Sequence, residues 1–341
     1  MEKRNTNVDV VRVFAFFMVL VVHTMLNNGY YLVPLEGPHM IIATFVRQFA
    51  MVCVPLFMIL TGYLCCGKEF VINKKYLSKL LKVIVPFILV SFLTYFVLSA
   101  YNILNGKTLL SILLNMGATG YAWYIEMYIG LYLLMPLINS GWNNIKDKKQ
   151  RQAIIIVMFA LCCVTNFTTP FGYKINGFWS NTYPLLFYLT GMYLKEYGLQ
   201  ISRLTKIVVL VISTMLSWIM AITVFRENVM VTANHYHNPF CFILSVMVFD
   251  LLINAKTENM NARSKTLLSK IADITLPAYL VSYVTDIFVY KMYAMAYIPT
   301  VQERLIMAPI LILISAICSL TCGKIIAVIS NKILNIRRKK I

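Results

Sequence analysis

Three ionisable residues, Asp9, Arg12 and His23, interrupt the nearly apolar stretch Asn7 to Thr24. An α-helix turns about 100° per residue, so the eleven steps from Arg12 to His23 bring them back to within roughly 20° of one face. They then stack about 16 Å apart along the axis. Asp9 stands one helical turn before Arg12, on the same side, where it can pair with it. Charge within a membrane span is costly and faces a bundle interior or a wet cavity. The three residues therefore predict a polar lane through a bilayer, with His23 as the group that can move a proton near neutral pH. A plainer reading also fits: Asp9 and Arg12 anchor the helix in headgroups, Arg12 by snorkelling, and His23 is interfacial.

Other chemistry-bearing residues are scattered. Glu126 opens a later apolar stretch at the depth expected for His23. A buried carboxylate needs a partner, and either His23 or Arg47 can serve. Asp273 and Asp286 flank another apolar stretch and read as interfacial. His39, His235 and His237 fall in loops, and two near histidines without a carboxylate are a weak metal signal, so no metal is assigned. The eight cysteines lack metal-ligand spacing and read as buried apolar residues. Tyr30, Tyr31, Tyr121, Trp123, Tyr124, Asn166, Tyr173, Asn176, Phe178, Trp179 and Asn181 enrich the loops in aromatic and amide groups. Such groups suit sugars and equally suit an interfacial aromatic belt.

The elements that must position these residues are membrane spans. The chain of 341 residues is 60% hydrophobic with a mean hydropathy of +0.73, above the roughly 45–50% apolar content of soluble domains. A span needs about 20 apolar residues, and about ten stretches qualify: 10–27, 41–65, 80–101, 122–140, 153–168, 183–197, 206–225, 238–254, 272–293 and 305–330. The fold expected is an all-α membrane bundle, a single domain over 1–341 with no appended soluble domain. The first run lacks a small-residue cleavage site and carries Asp9 and Arg12, so it reads as a retained span.

The net charge of +18 sits in short loops, which disfavours nucleic-acid binding. With a cytoplasmic N-terminus, the inner segments hold 24 Lys and Arg and the outer ones five: Lys107, Lys174, Arg226, Lys291 and Arg304. This asymmetry predicts both termini in the cytoplasm, Arg12 toward the inner face and His23 toward the outer one.

With Arg12 and His23 in place, the chain resembles the acyltransferase-3 family of integral-membrane acyltransferases. The Arg-x10-His motif matches Arg12 to His23 within N-x-D-x-x-R. V-P-L-F-M-I-L-T-G-Y-L, Val54 to Leu64, is similar to the family's P-x-F-F-x-x-S-G-[FY]-L. K-L-L-K-V-I-V-P-F, Lys79 to Phe87, is similar to its basic R-x-x-R segment before I-x-P. A-W-Y-I-E-M-Y-I-G-L-Y-L-L-M-P-L, Ala122 to Leu137, is similar to its W-[FY] span. These four motifs cover the first four spans in order. I-T-L-P-A-Y-L-V-S, Ile274 to Ser282, matches more loosely, with Ser282 where many members carry His. Lys79 and Lys82 replace the arginine pair; lysine meets phosphate as a point charge and not as a bidentate fork.

The resemblance implies a bacterial plasma-membrane, multi-pass enzyme that moves an acyl group, commonly acetyl, from cytoplasmic acetyl-CoA to a glycan or lipid-linked glycan hydroxyl at the outer face. Polysaccharide-biosynthesis proteins are the partners it implies beyond the lipid bilayer. CoA phosphates would dock on Lys79, Lys82 and Arg12, with Thr61 lining the lane. The pantetheine arm is comparable in length with the Arg12–His23 separation. His23 would act as general base or pass through an acyl-histidine. Asp9 would hold Arg12, Glu126 would support the catalytic group, and Trp123, Tyr124 and Arg47 would flank the acceptor. The competing reading is a transporter or flippase of a lipid-linked glycan or small solute without acyl chemistry.

Overall fold

The computed structural model describes residues 4–115, 121–169, 172, 173, 175, 177–224 and 235–338. Lys3, Lys174, Asn176, Arg226, Lys339 and Lys340 of the charge and loop readings lie outside the described residues. Within them the architecture is helical and shows no strand. The helices are α1 Thr6–Asn27, α2 Gly37–Ala50, α3 Cys53–Cys65, α4 Lys74–Ser78, α5 Leu81–Ala100, α6 Leu109–Leu114, α7 Trp123–Asn144, α8 Lys148–Thr168, α9 Tyr183–Tyr197 and α10 Arg203–Thr223. They continue with α11 Pro239–Ile253, α12 Ala262–Ala272, α13 Thr275–Asp286, α14 Val301–Ile306 and α15 Ala308–Arg338. Each of the ten apolar stretches coincides with one of these helices or a joined pair. Five helical segments are long and apolar enough by themselves to cross a membrane, or six if the bent α12–α13 pair counts as one.

Sequence sets the helix ends. Asn5 caps α1 by accepting from the Asn7 amide at 2.9 Å, and Asp147, Ser202, Asn238 and Asn261 cap α8, α10, α11 and α12. The second apolar stretch breaks into α2 and α3 just ahead of Pro55. Proline has no N–H for the Met51 carbonyl, which instead accepts from the Cys241 thiol of α11 at 3.5 Å.

α1 is the central element. It packs against α2, α3, α11, α12, α13 and α15, and Val11, Ala15, Phe16 and Leu20 are sealed from solvent. Close helix approach needs small residues. A Cβ on Gly62 of α3 would land on the Tyr188 carbonyl of α9, and one on Gly191 of α9 would land on the Ile59 carbonyl of α3. Gly323 of α15 meets Ala278 of α13 in the same way. α12 and α13 bend by 63°. Beyond Asp286, α13 continues as a π-helix over Ile287–Ala294, a form rare elsewhere and frequent at functional sites.

Candidate active site

The motif at the start of α1 is divided among three tasks. The Asn7 amide donates to the Ile253 and Ala255 carbonyls at 2.7 and 3.0 Å, closing the C-terminal end of α11. Asp9 is 3% exposed and is gripped by Arg4, whose Nε and Nη2 donate to its two oxygens at 2.6 and 2.9 Å. The same guanidinium reaches Asp273 and the Ser269 carbonyl at the α12–α13 bend. Arg4 lies outside the span, and its hydrogen bond to Asp9, then that to Asp273, push its basicity above arginine's ordinary range. The expected Asp9–Arg12 pair is present at 3.8 Å, but it is the looser of the two. Both Asp9 oxygens are hydrogen-bonded to Arg4, and Arg12 holds only the longer contact.

Arg12 lines a cavity of about 250 Å³ with Val54 and Phe57 of α3, Val83 of α5, Tyr124 and Tyr128 of α7 and Tyr279 of α13 among its walls. Farther along α1, His23 lines a second cavity of about 230 Å³ with Cys53, Tyr121, Trp123 and Tyr236. Val19, Val54 and Tyr279 wall both cavities. The two cavities thus share part of their walls along α1.

His23 is 9% exposed, and its ring stacks on Tyr121 with centroids 3.6 Å apart and planes 20° off parallel. Nδ1 faces the Asp286 carboxylate at 3.8 Å and makes no hydrogen bond. Asp286, 1% exposed, is held by the Tyr121 hydroxyl at 2.8 Å and the Ser315 hydroxyl at 2.7 Å. Asn27 donates to the Tyr121 hydroxyl at 2.6 Å and to the His23 carbonyl at 2.8 Å, and the Tyr279 hydroxyl donates to the Tyr121 carbonyl. One ring nitrogen thus faces a fixed carboxylate, and His23 itself lines the chamber. A histidine beside a buried carboxylate at the wall of a cavity is an arrangement that can support proton transfer.

The other expected residues divide. Trp123 joins the His23 chamber, stacked on Tyr236 at 5.7 Å, whereas Tyr124 joins the Arg12 cavity. Lys79 and Lys82 are exposed, and Lys82 adjoins Val83 at the Arg12 cavity. Thr61 donates to the Phe57 carbonyl at 2.7 Å, one turn past a residue lining that cavity. Arg47 is fully buried with its Nε on the Tyr31 hydroxyl at 2.6 Å. Glu126 is exposed and is brought to neither expected partner: Asp286 stands beside His23, and Tyr31 beside Arg47.

Asp286 is the main residue that the interfacial reading passed over. A signal for it exists in the sequence. It lies one helical turn after Ser282, inside a loosely matching motif, and an acid in an apolar run is the feature that singles out Asp9.

The acyltransferase-3 family model, described as an acyltransferase domain, matches residues 5–327 of the chain. No curated protein and no solved structure matches it.

Proposed function

The chain belongs to the acyltransferase-3 family, and from that premise we propose that it transfers an acetyl group from cytoplasmic acetyl-CoA to a hydroxyl of a glycan or lipid-linked glycan at the outer face of a bacterial plasma membrane. In this reading the bundle crosses the membrane ten times with both termini in the cytoplasm, as the loop charges favour. The observation that carries it is the pair of adjoining cavities along α1, Arg12 in one and His23 in the other.

The donor's phosphates meet Arg12, with Lys79 and Lys82 nearby as point charges. Guanidinium suits phosphate as a planar fork. The pantetheine arm follows the shared wall of Val19, Val54 and Tyr279 and carries the thioester to His23. There Nε2 takes the proton of the acceptor hydroxyl as its oxygen attacks the thioester carbon. The C–O bond forms, the C–S bond breaks, and the proton passes to the departing CoA thiolate. Tyr121 holds the ring by stacking on it, Asp286 stabilises the imidazolium that forms in between, and Tyr121 and Ser315 hold Asp286. Trp123 offers the acceptor an aromatic face.

Membranes containing the protein are given acetyl-CoA labelled in the acetyl group, and label is followed into polysaccharide and lipid-linked glycan. Label that appears with the wild type and disappears with folded His23→Ala is the expected result. Transfer at the wild-type rate by that variant removes His23 from the chemistry, and absence of both transfer and thioester hydrolysis in folded protein removes acetyl transfer.

A further inference from the structure

Arg47 is 0% exposed and heads the large side chains that are completely buried. Its Nε has the Tyr31 hydroxyl, and its guanidinium carbon lies 5.5 Å from that ring's centre. Nη1 and Nη2 have no hydrogen-bond acceptor among the described residues. Its neighbour Gln48, 2% exposed, spends its carbonyl oxygen on Ser217 and leaves its amide nitrogen equally unpartnered. The interior carboxylates are already engaged elsewhere: Asp9 by Arg4, Asp250 by Lys206, Asp286 by Tyr121 and Ser315. None of the ion pairs among the described residues includes Arg47.

Arginine does not shed its proton in proteins. A buried ion without a counter-charge carries a large desolvation penalty. A neutral hydroxyl or amide could accept its hydrogen bonds but would leave its charge unmatched, so the complement that satisfies both is an anion. The location points to which anion. Cys53 lies six residues on and lines the His23 chamber. The Cys53 sulfur contacts the Tyr236 hydroxyl at 3.8 Å, and Tyr236 lines the same chamber. Arg47 thus stands on α2, whose chain runs on into Cys53 at the wall of the chamber that holds His23.

We propose that Arg47 is an anion subsite for the acceptor: the molecule that presents its hydroxyl to His23 also carries a carboxylate or phosphate, which the two free Nη groups receive as a fork. The proposal rests on the reading that an acceptor enters the His23 chamber, and it narrows that acceptor to an acidic glycan or a phosphate-linked one. Tyr31 positions the fork through Nε, and the Cys53–Tyr236 wall gives way to admit the anion.

The test uses the full-length protein in lipid nanodiscs, titrated with glucuronate, glucose 1-phosphate and glucose. Tryptophan fluorescence reports, because Trp123 stacks on Tyr236. The expected result is saturable binding of glucuronate or of glucose 1-phosphate, which separates the carboxylate from the phosphate, with no response to glucose. Arg47→Gln weakens that binding by about 30-fold or more, as expected when one partner of a desolvated charge pair is removed. Arg47→Lys, which keeps the charge and loses the fork, falls in between. Should Arg47→Gln fail to fold, Tyr31→Phe, which leaves the charge in place but unoriented, weakens binding by a few-fold at an unchanged melting temperature.

Binding of glucose equal to that of the anions overturns the proposal. So does unaltered anion affinity in the folded variants, absence of any response, or a response that chloride alone reproduces. No acyl donor is needed, so the outcomes separate. Transfer dependent on His23 without anion preference removes the subsite alone, and anion preference without transfer removes the acetyl-transfer reading alone.

Discussion

Replacing Asp286 by asparagine tests whether the carboxylate beside His23 works in the chemistry or only in the packing. The carboxylate lies 3.8 Å from Nδ1. When the imidazole takes the acceptor's proton, the two groups become opposite unit charges. At that separation and an effective dielectric of about 20, their attraction is about 4 kcal/mol. Asparagine keeps the size but can accept from only one of Tyr121 and Ser315, its Nδ2 donating back to the other hydroxyl, so the charge is lost and one hydrogen bond is reversed. With tenfold in rate for every 1.4 kcal/mol or so, the full attraction corresponds to about 10³-fold. Screening by the two hydroxyl dipoles that already hold the carboxylate places the expected fall in kcat at about 10²- to 10³-fold. KM for acetyl-CoA stays within about twofold, because Arg12 and its cavity are untouched. The assay is the initial rate of labelled acetyl transfer in nanodiscs, resolved into kcat and KM, with a thermal melt of each variant. Tyr121→Phe is the companion: it removes one hydrogen bond to Asp286 while keeping the ring stack on His23, and kcat falls by about tenfold. A kcat for Asp286→Asn within about threefold of wild type, alongside an inactive His23→Ala, refutes the assignment. A fall that tracks the melting temperature across both variants makes Asp286 structural.

Three further outcomes are expected. Arg12→Ala raises KM for acetyl-CoA by about tenfold or more with a smaller change in kcat, whereas Lys79→Ala and Lys82→Ala, which are exposed, raise it by about two- to fivefold in a way that added salt erases; equal KM values for all three variants would remove the phosphate-docking role. Gly62→Ala and Gly191→Ala each destabilise the bundle by at least about 1–3 kcal/mol, because the new methyl meets a backbone carbonyl that cannot rotate away, and an unchanged melting temperature for either contradicts the close approach of α3 and α9. Burial, then the neighbouring His235, pushes His237 down to about 4. Its folded value therefore lies below the unfolded one of about 6.5, so its contribution is present above pH 6.5 and is lost as pH falls toward 4. The melting temperature drops across that window, and His237→Gln flattens the drop; identical pH profiles for the two proteins count against it.

The shared face of Arg12 and His23 could be read before any coordinates because helical periodicity is local. Arg12 and His23 share a face wherever that segment is helical, and Asp9 reaches Arg12 by the same rule. The apolar stretches were equally legible, since span length and composition follow from the thickness and polarity of a bilayer. Gly62, beside Thr61, could be singled out as a residue of close approach, but its counterpart Gly191 could not, because the contact joins α3 to α9 across more than a hundred residues.

What sequence alone could not supply is the set of partners. Asp286 reads as interfacial because nothing near it in the chain reveals that α13 packs beside α1, or that Tyr121, in the bend just ahead of α7, will bridge the two. Arg4 reads as one more cytoplasmic charge until the α12–α13 bend brings Asp273 beside Asp9. Glu126 reads as a buried acid in search of a partner until α7 takes its place with that side chain facing outward. The division is physical. Periodicity and hydropathy are properties of a few neighbouring residues, and they determined the apolar helices and the shared face of Arg12 and His23. Which side chain completes a charge or a hydrogen bond inside the bundle depends on how helices far apart in sequence pack, and only the tertiary structure decided that.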